Sequence, residues 1–196
     1  MIKIGIVGDI GCGKSYVAKK FKLPIFNADL EVTKIYKTNK KCFLKLKKAL
    51  PKYIFSFPIK KKELSTAIQK NIKNIYIINK IIHFEVRLRL TKFLRKNKNK
   101  KAVVLDIPLL LEGKINDRND IIVFVDANKK EINKRLKKRY NFKSKIYKKL
   151  KKLQLPLEKK KKKSNFIIKN NFKSLSLEKN VKLLKKKILS NERSSS

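Results

Sequence analysis

The chain has 196 residues, 42% of them apolar, which suffices for one globular domain with a proper core, and its 55 basic and 14 acidic residues leave a formal charge of +41. Its two cysteines supply no disulfide framework, and no apolar run approaches the roughly 18 residues of a spanning helix, so neither a disulfide-built secreted fold nor a membrane protein is supported, and a cytoplasmic address is expected. Only seven of the basic residues are arginine, and the lysines are dispersed among isoleucine and asparagine, which predicts salt-sensitive attraction to polyanions and no specific nucleic-acid partner.

The first element expected is a buried strand over the apolar run Ile2 to Val7. Directly after it, Gly8, Asp9, Ile10, Gly11, Cys12, Gly13, Lys14 and Ser15 match the phosphate-loop pattern GxxxxGK[ST]. The chemistry explains the spacing: glycines let the backbone curl around an anion, N–H groups and the next helix's N-terminus point at phosphate oxygens, and Lys14 adds charge. Ser15 would offer its hydroxyl to a Mg²⁺ that bridges the terminal phosphates. Tyr16, Val17 and Phe21, set among lysines, predict the amphipathic helix that the pattern requires.

Pro24 to Phe26 is the second strand candidate, and Asp29 follows it at the edge where the loop leaves the first strand. Two readings of Asp29 stand: a base or orienting group for a substrate hydroxyl, or an ordinary helix N-cap. From about Val32 to Lys101 no strand appears, and Ile75, Ile78, Ile82 and Val86 recur at helical spacing, which predicts a helical insertion. His83, the only histidine, falls on that helix, where spacing alone favours packing or surface over catalysis.

A third strand is expected over Ala102 to Leu105, ending on Asp106, the position at which phosphate-loop proteins often keep an acid near the metal. Pro108 then stops the strand and re-aims the apolar stretch Leu109, Leu110, Leu111 before Glu112. Ile121 to Val125 is the fourth strand. The lysine-rich helical stretch from Lys129 to Lys163 would serve as a lid, and its Arg135 and Arg139 share a helix face, suited either to clamping phosphate or to solvation. The run Lys159 to Lys163 reads as a solvated helix face, and Phe166 to Ile168 is the fifth strand. Strands alternating with helices predict a parallel sheet covered on both faces, with the ligand at the strands' C-terminal edge.

In order, these motifs resemble the dephospho-CoA kinase family over essentially the whole chain. Its GGIGSGKST appears as GDIGCGKSY, its DAD as Asn27-Ala28-Asp29, its HP as His83-Phe84, and its DIPLLFE as Asp106 to Glu112. Its lid arginines appear as Arg135 and Arg139, followed by Gln154, and its ADxVIDN as Ser164 to Asn170. The resemblance implies an α/β P-loop kinase fold: a five-stranded parallel sheet flanked by helices, in one domain over 1–196. Its core would span 1–35, 102–127 and 164–190, with a substrate-binding insertion at about 36–101 and a lid at about 128–163. It implies transfer of phosphate from ATP to the 3′-hydroxyl of dephospho-CoA by a monomer or weak oligomer. Gly8 to Tyr16 would hold ATP, Ser15 the Mg²⁺ with Asp106 beside it, Lys14 the β/γ-phosphates, Asp29 the hydroxyl, and Arg135 and Arg139 the transferring group. The region of His83 and the Pro108–Glu112 loop would shape the acceptor pocket. Asp9, Tyr16, Asn27 and Phe84 depart from the family pattern but leave Lys14, Ser15 and Asp29 in place. Another P-loop small-molecule or nucleoside kinase is the alternative, because the loop does not specify the acceptor.

Overall fold

A computed structural model describes residues 1–138, 147 and 151–190. In chain order its elements are β1 (Ile2–Gly8), α1 (Lys14–Lys20), β2 (Ile25–Asn27), α2 (Ala28–Thr38), α3 (Lys40–Ala49), α4 (Lys61–Lys70), α5 (Asn74–Lys96), β3 (Ala102–Asp106), β4 (Ile121–Asp126), α6 (Lys129–Lys137), α7 (Leu157–Lys162), β5 (Phe166–Lys169) and α8 (Ser174–Ser190). They fall into two compact units, Met1–Asn27 with Asn97–Ser196, and Ala28–Lys96.

In the first unit the five strands form one sheet in the order β2-β3-β1-β4-β5, with every neighbouring pair parallel. Each expected strand is present and runs one residue further at its C-terminal end. The extra residues are partly polar: Asn27 pairs with Asp106, and Asp126 with Lys169. Hydrophobicity marks only the apolar stretch, whereas the backbone ladder continues to the edge where ligands bind in such sheets. Central β1 is buried on both faces, and Ile4 and Ile6 have no exposed surface. Gly5 makes room there for Leu110, whose Cδ2 would lie 2.4 Å from a Cβ and would have to shift. Val17 and Ala18 of α1, Phe21 just after it, and Leu177, Val181 and Ile188 of α8 complete the core around the sheet.

The second unit is helical, as the spacing of its isoleucines predicts. Ile78 and Ile82 of α5 are buried and Val86 half-buried, packed with Ile35, Phe43, Leu46, Ile54 and Leu64, while Ile75 is half-buried at the start of the helix. Asn39 caps α3 by accepting the Cys42 N–H at 2.9 Å. Buried Glu63 accepts the backbone N–H groups of Phe55 and Ser56 at 3.1 and 3.3 Å, which satisfies a carboxylate inside this small core. This unit begins at Ala28, earlier than the expected boundary near residue 36, because Ile35 of α2 joins its core.

Candidate functional site

The phosphate loop joins β1 to α1 through three glycines of positive φ: Gly8 at 148°, Gly11 at 86° and Gly13 at 91°. At Gly13 a side chain is doubly barred, because a Cβ would also sit 2.5 Å from Asn170 Nδ2. Lys14 folds back over the loop and donates to the Asp9 carbonyl at 2.7 Å and, more weakly, to that of Gly8 at 3.4 Å. Asp9 is buried, and its Oδ1 accepts the Ile10 N–H at 2.7 Å. Cys12 is fully buried, and burial pushes its thiol pKa up. Ser15 and Tyr16 are exposed at the start of α1.

The loop is tied to the far end of the unit by two contacts. Buried Asn170 donates its amide to the Cys12 carbonyl at 2.8 Å, while its carbonyl accepts the Phe172 N–H at 2.9 Å. The Tyr16 hydroxyl meets Ser174 Oγ at 2.6 Å. The Arg135 guanidinium lies 4.5 Å from the ring centroid of Phe172, a cation–π contact on the same segment, made by a residue that is exposed as a whole. Arg139 lies outside the described residues.

At the neighbouring edge Asn27 donates to Asp106 Oδ2 at 2.6 Å, and Asp106 is 5% exposed. The segment that follows β3 splits in its surroundings. Pro108 is exposed and Leu109 half-buried at a φ of 58°, a conformation unfavourable for leucine, while Leu110 is buried against Gly5. The Glu112 carboxylate is engaged within the unit: its Oε1 accepts from Lys160 Nζ and from the Leu155 N–H, each at 2.9 Å. Burial pushes this carboxyl up, but the ammonium and the N–H outweigh it and hold the group below the usual glutamate range. Lys160 is 3% exposed, so the run Lys159–Lys163 is not wholly the solvated face its composition predicts. One lysine of α7 turns inward to meet Glu112.

Asp29 and His83 belong to the helical unit. Asp29 is exposed in the first turn of α2, which starts at Ala28, so it stands inside the helix and not at its cap. His83 lies on α5 with Arg87 one turn on; partial desolvation and that guanidinium lower its pKa although the ring meets solvent. Glu31, also in the first turn of α2, pairs with Arg89 at 2.9 Å and Lys34 at 2.7 Å.

Among the described residues no three or more His, Cys, Asp or Glu side chains cluster as a metal site, and no helix is long and apolar enough to cross a membrane. Residues that the sequence reading passed over are Lys160, Lys151 and Phe172. In so lysine-rich a chain nothing local distinguishes the two lysines, and only folding reveals their partners.

A family model for dephospho-CoA kinase matches residues 2–175. A Wolbachia sp. subsp. Brugia malayi protein named dephospho-CoA kinase is 33% identical over 170 residues, covering 84% of this chain and 87% of its own. A crystal structure of a Thermus thermophilus protein aligns with a TM-score of 0.78 at 25% identity over 97% of both chains. A Campylobacter jejuni dephospho-CoA kinase aligns with a TM-score of 0.65 at 22% identity over 95% of this chain and 96% of its own, a likeness of fold.

Proposed function

The chain belongs to the dephospho-CoA kinase family, and we propose that it transfers the γ-phosphate of ATP to the ribose 3′-hydroxyl of dephospho-CoA, giving coenzyme A and ADP. It is an ATP-using phosphotransferase of the P-loop kinase fold acting on a small molecule. The observation that carries the choice of acceptor is the match of residues 2–175 to this one family, since a phosphate loop alone leaves the acceptor open.

Phosphoryl transfer asks the protein for position and charge more than for covalent chemistry. The backbone of Gly8 to Tyr16 cradles the phosphates, and Lys14, now spent on two loop carbonyls, turns to the β- and γ-phosphates. Asp29 orients the 3′-hydroxyl and accepts its proton as the oxygen attacks phosphorus; its exposure in the first turn of α2 supports that role. Arg135 and Arg139 offset charge on the transferring group, a contribution worth about 10³-fold or more where an arginine acts as a finger. His83, Pro108, Leu109 and Leu110 shape the acceptor side, while Glu112 acts there through its hold on Lys160 and Leu155.

Mg²⁺ fits the donors present, because the exposed Ser15 hydroxyl and the Asp106 carboxylate are hard oxygen ligands, and this ion usually takes one or two protein oxygens with phosphates and water. When bound it supplies positive charge against the β- and γ-phosphate oxygens. A cytoplasmic setting agrees with two free, buried cysteines.

A coupled ADP-release assay with and without dephospho-CoA tests the reading. ADP formation that depends on dephospho-CoA, with coenzyme A as co-product, is expected. Turnover with other acceptors and none with dephospho-CoA would sink it.

A further inference from the structure

Lys151 opens the described segment that leads into α7, and that segment is anchored beyond it. Glu112 Oε1 accepts the Leu155 N–H, and Lys160 bridges Glu112 at 2.9 Å and Gln154 Oε1 at 3.1 Å. Lys151 itself is held only weakly: its side chain is 41% exposed, with the ammonium 3.6 Å from Asp9 Oδ2 and 5.7 Å from the ring centroid of Tyr147. Beside the pair lies a cavity of about 110 Å³ whose lining includes Asp9, Cys12, Asp126, Lys129, Lys151 and Leu157.

Asp9 is the opposite case, a carboxylate 8% exposed within a loop built to attract anions. Its Oδ1 takes the Ile10 N–H, its backbone oxygen takes Lys14, and its Oδ2 faces Lys151. Its backbone oxygen also accepts the Cys12 N–H at 3.3 Å, so one residue engages two N–H groups and two ammonium groups, the kinds of donor that bind a phosphate. Stability does not account for the contact with Lys151. At 3.6 Å, beyond hydrogen-bond length, and with a solvated partner, such a pair adds little to folding. A weak pair is, however, one that a stronger anion displaces.

We propose that Lys151 is a further ligand of the nucleotide's phosphates, stationed on Asp9 and handed to the triphosphate on binding, and that Asp9 is an intramolecular competitor that weakens nucleotide affinity. The triphosphate brings more negative charge and more acceptor oxygens, so it outcompetes the Asp9 carboxylate for Lys151 and the neutral loop carbonyls for Lys14. The inference rests on the reading of the loop as an ATP site.

Calorimetric titration with ATP and with inorganic tripolyphosphate tests it on the full chain, for wild type, Lys151→Met, Lys151→Arg, Asp9→Asn and the Asp9→Asn/Lys151→Met double variant, each at several salt concentrations. Lys151→Met is expected to weaken both ligands by about tenfold and to flatten the salt dependence, while Lys151→Arg retains most of the affinity. Asp9→Asn is expected to tighten ATP binding several-fold, a gain that shrinks when Lys151→Met is also present. Unchanged thermal midpoints in the two lysine variants exclude a folding effect. Lys151→Met affinity within twofold of wild type, or weaker ATP binding by Asp9→Asn, overturns the proposal. Wild type that binds no ATP overturns the kinase reading with it, whereas coupling between Asp9 and Lys151 without phosphorylation of dephospho-CoA overturns the acceptor alone.

Discussion

The side-chain amide of Asn27 donates to the Asp106 carboxylate at 2.6 Å, joining the last ladder step of β2 and β3 at the edge beside the phosphate loop. Asp106 is 5% exposed, and a buried carboxylate depends on such donors. Asn27→Ala should therefore lower stability by about 1.5–3 kcal/mol, the range for hydrogen bonds to charged groups. A near-native thermal midpoint in Asn27→Ala would show that Asp106 does not depend on this donor.

Glu112 and Lys160 make a second pair whose loss should be costly, because both side chains are largely withdrawn from water, 12% and 3% exposed. Lys160→Met leaves a buried carboxylate with backbone N–H donors and no countercharge, and should destabilise by about 3–5 kcal/mol. Glu112→Gln combined with Lys160→Met should cost clearly less than the two single losses added together. The pH dependence has a fixed sign. With its folded pKa held below the ordinary range, Glu112 contributes fully above about pH 4.3 and loses that contribution as pH falls through the folded value. Urea unfolding at descending pH should show wild type losing stability in this acid window more steeply than Glu112→Gln.

The cysteines should be inert in the folded protein. Burial pushes the Cys42 thiol up to about 11 and raises that of Cys12 as well, so at neutral pH neither supplies much of the thiolate that reacts. Mass spectrometry after iodoacetamide treatment near neutral pH should find both unmodified in native protein and both alkylated in urea. Rapid native labelling of Cys12 would show that the loop opens far more often than its buried contacts imply.

Much of this was legible before folding, and particular residues show where legibility stopped. Apolar runs placed all five strands, and the glycine and lysine spacing placed the phosphate loop, because burial and backbone curvature act on local residues. Asn27 and Lys169, the polar ends of β2 and β5, escaped that reading because ladder pairing is blind to side-chain type. Glu112 was expected near the acceptor from motif order alone. Its partner lies on α7, and no local pattern separates Lys160 from the four lysines around it. Asn170 fell within a legible segment, yet its bond to the Cys12 carbonyl spans 158 positions of chain, a purely tertiary relation.

Asp29 separates a catalytic role from a structural one. A carboxylate in a first helical turn complements the helix dipole, so its loss in Asp29→Asn should change stability by no more than about 1 kcal/mol. A proton acceptor in the transition state is worth about 10²–10⁴-fold in rate. Asp29→Asn should therefore fold with a near-native thermal midpoint and bind ATP as wild type does, while kcat for dephospho-CoA phosphorylation falls by about that factor. The reacting hydroxyl, and not the nucleotide, would then be what the residue serves. Turnover within about twofold of wild type, together with a lowered midpoint, would reduce Asp29 to a helix-terminal charge.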